Sequence, residues 1–432
     1  MQPVPVATAE RIGSLDALRG FALLGILLMN IPFFGLPHQT VEDLTIRDEF
    51  SGPDHWTWWI VNLFFEGSMR GLFSLLFGAS MVLLISRLVP RSDTVSAADI
   101  YYRRIIWLLL FGLFDAYILM WPGDILFRYA IAGLFLFPLR NLKPVHLFGI
   151  AGTLLVLMSA KYSYDRAEPL RLRDKAETVS AIDTTVTPLT EDQQGALQAW
   201  QAFQDKQRVE AKRAEAAATA RLTKGPLPVV FAHHAGITSW LQSTEYYRHG
   251  FLDAFVFMVI GIGLYHLGIL QGRRRKRFYL LLALAGYALS LPVAYWMMRT
   301  QVETRFDPVA FAERFPIQLY DLRRLALTFG HLGLFMLVFK LGWFGWIQSL
   351  FAKVGRMAFS NYMLQNLLGS VLFFGYGFNL FDELPRHQLY YVLAGIWLVN
   401  IVFSVLWLRW YGMGPLEWVW RSLTYWKRLP LR

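Results

Sequence analysis

Uncharged apolar runs of about 18–22 residues, the length a helix needs to cross a bilayer, recur along this chain and alternate with shorter polar stretches. The pattern predicts about ten spans, near 15–36, 56–88, 104–121, 124–140, 144–161, 250–270, 278–298, 319–341, 350–375 and 389–411. One stretch departs from it. Residues 162–248 are nearly balanced in charge, and 191–222 is rich in Ala, Glu, Gln, Lys and Arg, which predicts a solvated helix or helical hairpin. The expected fold is therefore all-α: a polytopic membrane protein with one extracytoplasmic helical insert, 162–248, between two five-helix membrane halves, 1–161 and 249–432. No inverted repeat is visible between the halves.

The polar residues inside the apolar runs are few, and each has a bland reading beside a functional one. Asp16 and Arg19 open the first span and Asn30 closes it. At ~100° per residue, Arg19 and Asn30 lie roughly 20° apart with ~16 Å of rise between them, so one polar stripe runs the length of the helix. A snorkelling ion pair with an interfacial cap explains the same residues. Glu66 and Arg70 are spaced as an i,i+4 pair on one helical face. Asp124 and Arg128 follow the tight turn Trp121-Pro122-Gly123, where Asp124 suits a helix cap or, with Arg128, a ligand contact. Arg324 and His331 share a face in the eighth span, with Asp321 and Arg323 beside them; pairing with the acidic loop is the bland account of the arginines. Asn361 and Gln365, bordered by Tyr362, fit either a site or interhelical hydrogen bonds.

Composition agrees with a membrane protein: 55% of the 432 residues are hydrophobic and 16% aromatic, with mean hydropathy +0.36. The first span has no small-residue cleavage site behind it and reads as a retained helix. A net charge of +11 would suit nucleic acid, but the cations sit in alternate loops, as the positive-inside rule places them. They include Arg87, Arg103 and Arg104, then Arg140 and Lys143, then Arg273 to Arg277, then Lys353, and Arg421, Lys427 and Arg428 at the end. All agree on one orientation, with both termini cytoplasmic. The loop 37–55 then faces outward; it is acidic and contains His38 and His55. With no cysteine there is no disulfide, iron–sulfur cluster or thiolate nucleophile, and no P-loop, H-E-x-x-H or G-x-S-x-G motif occurs. The adjacent His233 and His234 lack a carboxylate at ligand spacing, so no metal is expected.

Several motifs together carry a resemblance: Leu15-Asp16-Ala17-Leu18-Arg19-Gly20, Leu72-Phe73-Ser74-Leu75-Leu76-Phe77-Gly78, Gly123-Asp124-Ile125-Leu126, Gly355-Arg356-Met357-Ala358 with Asn361-Tyr362-Met363-Leu364-Gln365, and Gly414-Pro415-Leu416-Glu417-Trp418. In these the chain resembles the YeiB-like family of bacterial inner-membrane proteins over nearly its whole length outside the insert. That family has no settled activity and is often labelled a transporter. The opening is more distantly similar to transmembrane acyltransferases of the heparan-alpha-glucosaminide N-acetyltransferase group, which begin with an acidic residue and Arg-Gly before an apolar span ending in Asn. That group also has a Gly, an apolar pair and an Arg near the start of a middle span, as in Gly123 to Arg128. Its catalytic His lies shortly before the second span, which makes His55 the positional match and His38 the reserve. The spacing from Asn30 to His55 is longer here.

The resemblance implies transfer of an acyl group from cytoplasmic acyl-coenzyme A to an envelope glycan, lipid or small molecule outside. Asp16, Arg19, Arg103, Arg104 and Arg356 would hold the donor, Asn30 would contact the path or oxyanion, and His55 or His38 would be the base. The acceptor would meet Glu66, Arg70, Asp124, Arg128, Arg324, His331, Asn361 and Gln365. The alternative is a secondary transporter of a small anionic or aromatic solute, with Glu66–Arg70 or Asp16–Arg19 as a switching pair. The expected partners are the bilayer and the acceptor, with a homodimer left open and no nucleic acid. A non-catalytic partner or sensor that uses the insert is a third, weaker reading.

Overall fold

Every regular element in the computed structural model is a helix; it describes residues 13–89, 94–183, 185 and 188–431. The first half contains α1 (Gly13–Gly35), α2 (His38–Glu42), α3 (Gly52–Phe64), α4 (Ser68–Leu88), α5 (Thr94–Tyr117), α6 (Leu126–Leu134) and α7 (Pro144–Arg166). Polar helices α8 (Glu168–Ser180), α9 (Glu191–Gln207) and α10 (Val209–Thr223) follow, then the apolar α11 (Leu227–Trp240). A π-helical segment, Leu241–Gly250, joins α11 to α12 (Phe251–His266). The chain ends with α13 (Lys276–Glu303), α14 (Pro308–Arg314), α15 (Tyr320–Leu341), α16 (Gly345–Arg356), α17 (Ala358–Phe373), α18 (Arg386–Trp410) and α19 (Pro415–Tyr425).

Among the described residues, seven stretches are long and apolar enough to cross a membrane: Gly13–Gly35, Gly52–Leu88, Pro144–Ser180, Leu227–His266, Lys276–Glu303, Tyr320–Leu341 and Arg386–Trp410. The expected spans near 104–121, 124–140 and 350–375 are not among these seven. α5 carries Asp99, Arg103, Arg104 and Asp115 along its length. α6 is nine residues, extended only by a 3₁₀ turn at Phe137–Asn141. Met357 breaks the third stretch into the twelve-residue α16 and the sixteen-residue α17.

Small residues let the helices cross at backbone contact, as packing in a bilayer requires, because lipid supplies no hydrophobic drive between helices. At the α4–α12 crossing, a Cβ on Gly78 would lie 2.0 Å from the Met258 carbonyl oxygen, and one on Gly261 would lie 2.0 Å from that of Leu75. α1 and α16 cross in the same way through Gly20 and Gly355.

The bundle has a proximal end, where α1 starts, and a distal end, where α1 finishes and α8–α10 lie. At the distal end the acidic loop 37–55 is fastened to its neighbours. Buried Arg386 donates to Glu49 at 2.6 Å and to the Thr40 carbonyl at 2.6 Å, His387 Nδ1 lies 2.8 Å from Asp54, and Lys212 of α10 donates to Asp43 at 2.8 Å. Asp43, Glu49 and Asp54 are thus paired with α10 and α18, and no carboxylate of the loop lies in ion-pair range of Arg323 or Arg324 among the described residues, contrary to the bland expectation for those arginines.

Candidate functional site

Two cavities lie back to back along the bundle. The distal one measures about 810 Å³, the proximal one about 280 Å³. α4 and α6 divide them. Arg70 and Arg128 line the distal cavity, whereas Phe73, Ser80, Leu126 and Tyr129 of the same two helices line the proximal one. The Tyr129 hydroxyl donates to the Arg70 carbonyl at 3.2 Å and lies 2.6 Å from Ser74 Oγ, so a layer about one side chain thick separates the two spaces.

The distal floor follows from a break in the second span. Gly67 takes a left-handed conformation with φ 73°, and a Cβ there would meet Arg324 Cδ at 2.4 Å; only glycine fits both constraints. The break ends the shared helical face on which Glu66 and Arg70 would have paired. Glu66 instead accepts from Tyr320 Oη at 2.6 Å and from Arg323, while Arg70 Nε stands 3.3 Å from Asp253 Oδ2. Asp253 is also bound by Arg324, which is 1% exposed, lies 3.5 Å from Asp321 and stacks 4.4 Å from the Phe257 ring. The walls come from α7, α8, α9, α14 and the π-helical segment. In that segment His249 stands 3.0 Å from Glu245 and 3.5 Å from Asp165, and the Tyr162 hydroxyl donates to the His249 carbonyl at 3.0 Å. π-Helical segments are rare and recur at functional sites.

The proximal cavity is lined by Arg19, Arg87, Arg104, Arg356 and Arg421 against Asp16 and Glu417, a formal excess of three positive charges. Arg19 bonds Asp16 and Ser80 Oγ, each at 2.9 Å. Arg104 stacks 3.6 Å over Trp420, and Arg356 donates to the Gly412 carbonyl at 3.0 Å. Glu417 caps α17, accepting from the Phe359 amide at 2.7 Å and from the Ser360 amide at 3.1 Å. Burial holds its carboxyl above the ordinary value, against the lowering effect of the bonds from Ser360 and Phe359.

The structure thus gathers Asp16, Arg19, Arg104 and Arg356 in one cavity, and Arg70 and Arg128 in the other with Glu66 and Arg324 in the adjoining ion-pair network. The remaining expected residues line neither. Arg103 pairs with Asp99 on an exposed face. Asp124 caps α6 through the amides of Leu126 at 3.0 Å and Phe127 at 2.7 Å, and accepts from Tyr362 at 3.3 Å. Both ring nitrogens of His331 are engaged, with the Phe64 carbonyl and the Tyr287 hydroxyl, each at 2.7 Å. Asn361 donates to Val354 O at 3.1 Å and Ser404 Oγ at 2.8 Å, while Gln365 is buried in α17. His55 lies 3.2 Å from the Glu49 carbonyl beside Trp56 and Trp59. His38 is exposed on α2 and Asn30 half-buried on α1.

Sequence reasoning missed Asp253, although a single carboxylate at the head of the apolar run 251–264 was a visible signal. It also missed Phe203 and Phe311, which carry no such signal.

Residues 264–427 match the family described as Protein of unknown function (DUF418). The chain is 29% identical to the Uncharacterized protein YxaH of Bacillus subtilis (strain 168) over 444 residues, covering 98% of this chain and 96% of the relative. It is 30% identical to the Uncharacterized protein YeiB of Escherichia coli (strain K12) over 426 residues, covering 96% of each. The Uncharacterized 39.9 kDa protein in amylase 3'region of Bacillus acidopullulyticus is 27% identical over 431 residues, 99% of this chain and 97% of the relative. No solved structure matches the chain.

Proposed function

This chain belongs to the YeiB-like family, and on that premise we propose that it is a multi-pass enzyme of the bacterial inner membrane that moves an acyl group from cytoplasmic acyl-coenzyme A to an acceptor on the outer side. The proximal end is then cytoplasmic, together with both termini. The observation that carries the reading is the pair of cavities on either side of α4 and α6, where Tyr129 bonds the Arg70 carbonyl, with five arginines on the proximal side.

Arg19, Arg104 and Arg356 offer guanidinium donors suited to phosphate oxygens. The small proximal cavity would hold the pantetheine arm and phosphates, leaving the nucleoside at the cytoplasmic mouth. The thioester carbonyl then reaches the layer at Tyr129 and Tyr362, and the acceptor approaches from the distal cavity. The acceptor's oxygen or nitrogen forms a bond to the carbonyl carbon, the carbon–sulfur bond breaks, and the proton lost by the acceptor ends on the coenzyme A thiol. His55 and His38 lie outside both cavities, so the reading rests on the cavities and not on a histidine base.

A second reading, transport of a small anion, is favoured by the ion pairs Arg70–Asp253–Arg324 beside that same layer, which could re-pair as access alternates. Binding separates the two readings. Purified full-length protein in detergent is expected to bind acetyl-coenzyme A or a longer acyl form saturably. Arg104→Ala is expected to weaken this by about tenfold or more, the value of a charge-assisted hydrogen bond, and Arg103→Ala to leave it unchanged. Absence of saturable binding in a folded sample would give the case to transport.

A further inference from the structure

We infer that the distal cavity binds an organic anion, a compact phosphate or carboxylate on an apolar or aromatic body, with the anion on Arg70 and Arg128 and the body against Phe203 and Phe311. Calling this ligand the acyl acceptor rests on the reading above; the site itself does not.

Of the five carboxylates that line the cavity, four face a basic or histidine side chain. Asp253 is shared by Arg324 and the Nε side of Arg70, and Asp321 is held by Arg324. Asp165 is taken by Lys161 at 2.6 Å, and Glu245 faces His249. Glu168 lies exposed at the start of α8, at the rim. Arg128 has no carboxylate in ion-pair range and no hydrogen bond from its guanidinium among the described residues. A carbon built on Gly250, which also lines the cavity, would sit 3.7 Å from Arg128 Nη1, so the missing side chain leaves that nitrogen open. Arg70 is an electrostatic neighbour of Arg128; its Nε faces Asp253, while its two terminal nitrogens, on a side chain 38% exposed, make no hydrogen bond among the described residues. Two neighbouring guanidiniums with unused donors form a receptor for an oxyanion, whose charge and lone pairs satisfy both at once.

The walls specify the rest of the ligand. Phe203 of α9 and Leu172 of α8 face Phe311 and Pro308 of α14 across the cavity. Arg166 stacks 5.1 Å from the Phe311 ring and donates to the Phe315 carbonyl at 3.3 Å, which holds α14 against α7. Arg173 of α8 ties to Glu313 of α14 at 2.5 Å and reinforces the same closure. The polar insert is therefore a wall of the site, and it contributes the apolar surface that an inorganic ion would not use. A cavity of about 810 Å³ is far larger than such an ion and falls within the range of small-molecule sites.

The test uses full-length protein in detergent, with phenyl phosphate as the probe and inorganic phosphate and benzyl alcohol for comparison. Phenyl phosphate is expected to bind saturably, more tightly than either. Arg128→Gln is expected to weaken it by about tenfold or more, Phe203→Ala by a few-fold, and Arg103→Ala, outside both cavities, not at all. Equal affinity for benzyl alcohol, or unchanged affinity in both Arg128→Gln and Phe203→Ala samples that elute like the parent, would overturn the inference. In phosphatidylcholine nanodiscs, added phosphatidic acid either displaces the probe, which assigns a lipid headgroup, or does not, which assigns a soluble anion; both results support the site. Acetyl-coenzyme A binding by Arg128→Gln separates this inference from the reading above. Donor binding without Arg128-dependent anion binding overturns the anion site alone; anion binding without donor binding leaves the site standing and removes the transferase.

Discussion

Gly355→Ala is expected to abolish assembly of the proximal half of the bundle, read as loss of the monodisperse peak in size-exclusion chromatography of the solubilised protein. A Cβ at Gly355 would lie 1.9 Å from the Asp16 carbonyl oxygen and 2.7 Å from the Gly20 amide nitrogen; one at Gly20 would lie 2.0 Å from the Phe351 carbonyl oxygen. Every one of these neighbours is backbone, so no rotamer change relieves the clash and the two helices must separate. Overpacking by a methyl group in a yielding core costs about 1–3 kcal/mol. A crossing that cannot yield belongs at or beyond the top of that range. The damage is also functional, because α1 carries Asp16 and Arg19 and α16 carries Arg356 on the walls of the proximal cavity. Gly395→Ala in α18, where nothing lies within 4 Å, is the control and is expected to behave like the parent. A normal peak and unfolding midpoint for Gly355→Ala would show that the two helices do not touch through these glycines.

The same crossing shows what a one-dimensional pattern conveys. Asp16, Arg19 and Arg356 were conspicuous because charges are rare in apolar runs, and the glycines beside them mark where the two motifs meet; rarity is a property of sequence and survives without a structure. Glu66 and Arg70 misled for the opposite reason. Their spacing is meaningful only on an unbroken helix, and the break at Gly67 depends on Arg324 and Tyr320, more than 250 positions away. Hydropathy found most of the long apolar stretches readily; in the one at Leu227–His266 it marked only the part from about 250 and left the apolar α11 within the polar insert. It could not say that 124–140 holds a nine-residue helix and a 3₁₀ turn, because a short buried helix in the bundle is as apolar as a span. Phe203 was the least legible of all. An aromatic residue on a polar helix has no periodicity to mark it, and its partner Phe311 lies over 100 residues away, so only the docking of α9 and α14 around one cavity gives it meaning.

Arg324→Leu is expected to cost about 3–5 kcal/mol, the range for removing one partner of a buried ion pair. The guanidinium is 1% exposed and serves two carboxylates, with Asp321 only 3% exposed and Asp253 18%. Its removal leaves Asp321 without a cation and Asp253 with Arg70 alone. Most of the loss is therefore the penalty of a stranded buried charge rather than of a missing attraction, and that can be checked. Asp253→Asn in the Arg324→Leu background is expected to recover part of the loss, so that the two changes together destabilise by about 0.5–3 kcal/mol less than their sum. Arg103→Ala, which breaks an exposed i,i+4 pair with Asp99, is expected to cost about 0–1 kcal/mol on the same scale. Lysine at 324 is expected to restore little, because a single ammonium cannot span both carboxylates while stacking on Phe257. The substitution also reaches the distal cavity. With Arg324 gone, Asp253 claims Arg70 more fully, so the floor has less of the Arg70 guanidinium to offer beside Arg128, and phenyl phosphate affinity is expected to fall with stability. Additive unfolding midpoints in the Arg324→Leu/Asp253→Asn double variant would mean that the two groups do not interact, and the ion-pair network beneath the cavity would have to be redrawn.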